Sequence, residues 1–228
     1  MKKVFLLLIV ACFIGWYCFR VSSNADISNL KTEILTDTVP FSLKKGDVLV
    51  RPNFSWLPGS CVVRDGRMFG HVAIVTENVS GSSVEEVLAN TTVIEAVVFD
   101  QKTRSFIFDK KEQVRETKAV ISFGPRFKGI RYRLRMNLTD QQTADLLQFL
   151  KNQLGGGYSI FTLKKIVDAD SGKNKTLKNL SWHCANLAWQ AYYQSTGLDI
   201  DENKGLVVFP ADIIASKHFD LSGGRIRF

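Results

Sequence analysis

Trp182-His183-Cys184-Ala185-Asn186-Leu187-Ala188-Trp189 opens a helix that runs to about Ser195 and is stopped by Gly197. Unpaired backbone N–H groups gather at a helix start, and the macrodipole favours negative charge there. Cys184 is thus placed to carry a thiolate and to face an oxyanion. Far upstream, Gly70-His71-Val72-Ala73-Ile74-Val75 reads as a buried strand with the His71 ring at the sheet edge. Thr92-Val93-Ile94-Glu95-Ala96-Val97-Val98 reads as a second strand. A carboxylate inside it costs several kcal/mol unless paired, so Glu95 asks for a partner. The expected fold is α+β: a small antiparallel sheet carrying His71 and Glu95, packed against the Cys184 helix.

Working outward, Gly46-Asp47 opens a short strand, Val48-Leu49-Val50. Residues 51–69 hold Pro52, Pro58, Gly59 and Gly66, the punctuation of a loop. Phe106-Ile107-Phe108 and Ala119-Val120-Ile121-Ser122-Phe123 read as further strands. From Ile130 to Met136 the pattern alternates, sending Arg131, Arg133 and Arg135 to one face, read as solvated. Thr139 and Gln142 have capping-box spacing before a helix whose apolar stripe is Leu146, Leu147, Leu150 and Leu154. Gly155-Gly156-Gly157 ends it. Residues 162–179 are lysine-rich and weakly patterned, a cover or a short exposed helix.

Composition fits one domain of 228 residues: 45% hydrophobic and 23% charged, with 16 Phe and 4 Trp to build a core. Lys2, Lys3 and Arg20 carry three of the net +8, and the remaining +5 favours anionic surroundings such as a membrane surface or a wall polymer, without demonstrating nucleic-acid binding. Lys2-Lys3 precede an apolar run from Val4 to Phe19 closed by Arg20, shorter than the roughly 20 residues of a comfortable span. Cleavage after Ser23-Asn24-Ala25, an uncleaved anchor, and a lipoprotein box at Ile9-Val10-Ala11-Cys12 are the three readings, in that order. All place the domain outside the cytoplasm. The resulting division is 1–25 signal or anchor, 26–45 linker and 46–222 catalytic domain.

Cys12 and Cys18 fall in the leading segment, so the bland reading of Cys61 and Cys184 is a disulfide in an oxidising compartment. No Cys-x-x-Cys pair exists, His71, His183 and His218 lack ligand spacing, and no glycine loop precedes a helix, so no metal or cofactor is expected. His183 is rejected as the base because adjacent helical side chains diverge by about 100°.

Taken in order, Gly46–Val50, Gly70–Val75, Val93–Ala96, Leu154-Gly155-Gly156-Gly157-Tyr158, Trp182–Trp189 and Phe209-Pro210-Ala211-Asp212-Ile213-Ile214 resemble a known family. It is the circularly permuted, papain-like branch of the NlpC-type cell-wall peptidases, in particular its YiiX/YaeF-like group. The resemblance covers roughly residues 40–220. It implies the permuted order His71, Glu95, Cys184, with Cys184 as nucleophile, His71 as base and Glu95 as the orienting member. It also implies that Tyr158 lines the site and helps hold the oxyanion. The chain departs from the family at Ser159, His183 and Ala185, where Asp, an aromatic residue and Ser are usual.

The expectation is an exported thiol hydrolase that cleaves an amide in a cell-wall peptide or an amide-linked amino acid. Two rivals stand beside it. One is a lipid acyltransferase or deacylase on the same thiol. The other is an inactive wall- or membrane-binding module acting through Arg131, Arg133 and Arg135. Oligomeric state is not legible.

Overall fold

A computed structural model describes residues 2–22, 27, 29–36, 40–52, 61–62, 68–100, 102–125, 129–159, 162–164, 180–201 and 205–228. The strands are β1 (Glu33–Ile34), β2 (Phe41–Leu43), β3 (Val48–Pro52), β4 (Cys61–Val62), β5 (Met68–Val75), β6 (Val79–Gly81) and β7 (Thr92–Ala96). They continue as β8 (Phe99–Asp100), β9 (Ser105–Phe106), β10 (Val114–Lys118), β11 (Tyr132–Leu134), β12 (Gly157–Tyr158), β13 (Ser181–Trp182) and β14 (Arg225–Arg227). The helices are α1 (Lys2–Ser22), α2 (Val84–Asn90), α3 (Ala119–Phe123), α4 (Asp140–Asn152), α5 (Cys184–Thr196) and α6 (Pro210–Ala215). The class is α+β, but the sheet is not small. It has 8 strands in the order β1-β14-β11-β3-β5-β7-β10, with β4 beside β5. It is antiparallel except where β1 runs parallel to β14.

Side chains alternate across this sheet, so each strand supplies two cores. Val48, Val50, Val72, Ile74, Ile94 and Ala96 face the layer that holds α4, α5 and α6. Leu49, Ala73, Val75 and Val93 face the other layer, with α2, α3 and β2. Cys184 belongs to the first core. His71, two residues before Ala73, and Glu95, the register partner of Ala73, belong by alternation to the second face.

Four readings change. Ala119–Phe123 is a helix, because only Ala119, Ser122 and Phe123 are buried, a helical spacing along one face. Phe106 ends the two-residue strand β9, paired with β8 off the main sheet, and Phe108 is 89% exposed. The helix before the glycines stops at Asn152, and Leu154 lies outside it. The arginine face is not solvated: β11 lies inside the sheet, between β14 and β3. Arg133 is 2% exposed. Arg135 donates from Nε and Nη2 to the buried Asp47 carboxylate at 2.7 and 2.6 Å. Arg131 donates to the Phe123 carbonyl at 2.6 Å and lies over the Phe228 ring. Arg131 and Arg135 are thus tied into the fold and Arg133 is buried, so the binding-module reading loses the exposed arginine face on which it depended.

The capping box at Thr139 forms, with Gln142 N–H on Thr139 Oγ1 at 3.2 Å and Thr139 N–H on Gln142 Oε1 at 3.0 Å. Within 26–45, Ile27, Phe41 and Leu43 are buried and β1 and β2 are paired, so this stretch packs on the domain. At the other end, Arg225 lies beyond residue 222 and donates to the carbonyls of Lys31, Ile214 and Ser216. The stretch Ser23–Ala25, most of the 51–69 loop, and residues 165–179 of the lysine-rich segment lie outside the described residues. Among the described residues, no helix is long and apolar enough to cross a membrane.

Candidate active site

Three strands and one helix end bring the expected residues together. β3 and β5 pair with Arg51 opposite His71 and Pro52 opposite Phe69, so Gly70 is the extra residue of a bulge. A bulge bends its strand and re-aims the neighbouring side chain, here the imidazole. His71 Nε2 lies 2.7 Å from Glu95 Oε2, and both are buried. The Phe123 ring stacks on the imidazole with centroids 5.6 Å apart. The sequence-predicted pair is thus a close contact, and Nδ1 is the ring nitrogen that Glu95 does not engage.

Cys184 is a free, buried thiol, so the disulfide reading falls. It is the first residue of α5, with His183 at the N-cap. Sγ lies 3.9 Å from the Gly70 carbonyl and accepts from the N–H groups of Val72 and Ala185. The polar groups of Val75 face β3, so alternation turns the Val72 N–H toward β7, whose register with β5 begins only at Ala73. The thiol occupies that donor. Gly70 and Val72 flank His71, which puts the sulfur against the strand at the base, although no Cys184–His71 hydrogen bond is made among the described residues.

Charge at the site departs from the helix-end expectation. Burial pushes the Cys184 thiol up to about 11, against the Val72 and Ala185 amides and the Arg51 charge, which pull it down. Burial likewise lowers His71, and it prevails over the hydrogen bond and charge of Glu95, which raise it. Glu95 is held down at about 2: burial alone would raise it, but the hydrogen bond and charge of His71 and the charge of Arg115 outweigh that. The resting pair is therefore a neutral thiol and a neutral imidazole. Iodoacetamide should accordingly modify Cys184 at pH 7 on the order of a hundredfold more slowly than a free cysteine of ordinary pKa. The rate should climb until about pH 11. Peptide mass spectrometry checks this; a His71-dependent plateau below pH 8 would mean a preformed ion pair.

Tyr158 sits in β12, whose parallel partner β13 places it opposite Trp182, two residues before the nucleophile. Its N–H donates to Gln113 Oε1 at 2.7 Å. Burial and the neighbouring Cys184 push its hydroxyl well above its ordinary value, so it stays a proton donor. His183, rejected as base, is buried with Nδ1 lacking a hydrogen-bond partner, 6.0 Å between its ring and that of Tyr158.

Sequence reasoning missed two residues. Arg115 donates to Glu95 Oε1 from Nε and Nη2 at 3.2 and 3.1 Å. Arg51, 4% exposed and directly across from His71, places a cation whose field reaches His71, Tyr158 and Cys184. Both are set by register between distant strands. The only local signal was a charged residue inside an otherwise apolar strand, as at Arg51 after Val48-Leu49-Val50.

No family model matches the chain, and no curated protein matches it. Among solved structures it is similar to the metalloprotein yiiX from Escherichia coli O157:H7, at 17% identity and a TM-score of 0.48 over 77% of this chain and 93% of that one. Among the described residues of this chain, no group of three or more His, Cys, Asp and Glu could hold a metal ion.

Proposed function

We propose that the chain is an exported, thiol-dependent hydrolase of permuted papain-like architecture that cleaves an amide bond, in a cell-wall peptide or an amide-linked amino acid. The carrying observation is a buried His71–Glu95 pair at 2.7 Å whose histidine lies on the strand against which a free thiol at a helix start is packed. Because the resting groups are neutral, His71 acts as a general base: Nδ1 takes the Sγ proton as sulfur attacks the carbonyl carbon. The developing oxyanion is met by the Cys184 N–H and the Tyr158 hydroxyl. The imidazolium then gives its proton to the nitrogen of the leaving amine as the C–N bond breaks. Water, deprotonated by the same imidazole, releases the acid and restores the thiol.

The full chain, incubated with a panel of amino-acid p-nitroanilides and quenched in acid, should carry an acyl adduct on the Cys184 peptide. An adduct on Cys61 instead would overturn the site. Fatty acid released from lipid with every amide intact would favour the acyltransferase or deacylase reading.

A further inference from the structure

Glu95 divides its two oxygens between two partners. Oε2 lies 2.7 Å from His71 Nε2, while Oε1 accepts from Arg115 Nε and Nη2 at 3.2 and 3.1 Å. The third guanidinium nitrogen, Nη1, is bound to Asp100 Oδ2 at the start of the β8–β9 hairpin. The arrangement is fixed by the sheet, because Arg115 on β10 is the direct register partner of Glu95 on β7. Glu95 is 0% exposed, and a carboxylate so buried needs a counter-charge. Arg115 and His71 are the groups bonded to it that can supply one. Were His71 to do so it would rest as imidazolium, and an imidazolium has no lone pair to accept the thiol proton.

We propose that Arg115 is the positioning residue of this site: from the Oε1 side it neutralises and orients Glu95, which leaves His71 uncharged as the base. This rests on the thiol-hydrolase reading, since only a proton-accepting His71 gives the arrangement a use. The groups facing the pair are Arg115 on β10, Asp100 on β8, Arg51 on β3, Ser122 on α3, and His183 and Cys184 at the start of α5. Asp100 shares the guanidinium and holds its plane, and Arg51 and Arg115 both oppose protonation of His71. The direction is therefore fixed. Loss of the Arg115 charge makes the His71–Glu95 pair take up a proton at higher pH.

The test uses the full chain with ¹⁵N-labelled histidine and follows the His71 ring nitrogens by NMR against pH, without substrate. In Arg115→Met the proton-uptake midpoint of the pair should rise by about one pH unit or more. The acid limb of amide turnover should move up with it. Arg115→Lys, which keeps the charge, should restore both. Should the Met variant fail to fold, Arg115→Gln removes the charge while keeping a donor and carries the same expectation. A midpoint that stays in place in a folded neutral variant, or rises equally in Arg115→Lys, overturns the proposal. Because the titration needs no substrate, a chain that hydrolyses nothing would sink the hydrolase reading and leave this outcome separately readable.

Discussion

Cys184→Ser should reduce turnover of any amide the chain cleaves by at least about a thousandfold. It should shift the thermal midpoint by no more than a few degrees. The second half of this expectation comes from the thiol's surroundings. A serine hydroxyl in the same place keeps the Val72 and Ala185 N–H groups as donors. A buried hydroxyl with those partners escapes the penalty of an unsatisfied polar group, so the change stays within about 1 kcal/mol. The first half comes from the chemistry. An alcohol is a far weaker nucleophile than a thiol, and a neutral, buried imidazole is a poor base toward it. Rates and melting curves of purified wild type and variant decide the matter. Activity within tenfold of wild type in the serine variant would remove Cys184 from the mechanism.

What could be read beforehand follows the range of the interactions concerned. The start of α5, the strand carrying His71 and the capping box at Thr139 are written in a few consecutive residues, and all form. Glu95 announced a partner because charge in an apolar strand must be paired, but which cation would come depended on register. Arg115 reaches it from 20 residues away on a strand whose own sequence, Val114-Arg115-Glu116-Thr117-Lys118, looks like ordinary polar surface. The arginines in and beside β11 failed for the same reason, because nothing local told of β14 pairing there and of Phe228 lying against Arg131. At α3, Val120 and Ile121 favour a strand, yet burial of Ala119, Ser122 and Phe123 against the sheet decides for a helix. The thiol was misjudged because helix-end electrostatics were weighed without burial. Cys184 to Tyr192 are buried without a break, and in such a helix desolvation outweighs the terminal amides.

Acid should unfold the chain in two stages, and the same buried groups fix both. His183 is ordinarily half-protonated at 6.5, but burial, aided by the charge on His71, lowers it to about 4. His71 is also lowered, chiefly by burial. Between these values the unfolded chain binds protons that the folded chain refuses, so stability present above pH 6.5 is lost as the pH falls toward 4. For His183 alone that loss is about 3 kcal/mol, a large part of the roughly 5–15 kcal/mol that holds a typical domain together. The second stage belongs to Glu95, held at about 2 instead of its ordinary 4.5. Its contribution is complete above 4.5 and disappears as the pH falls through 2, again about 3 kcal/mol. Urea unfolding at a series of pH values separates the stages. His183→Gln should flatten the curve between pH 6.5 and 4 and leave the lower limb. Glu95→Gln should be the less stable chain at pH 7, where Arg115 loses its buried partner, and the gap from wild type should close toward pH 2. A wild-type curve that is flat from pH 7 to 4, or a gap that widens in acid, would show that these groups are not buried in the charge states described.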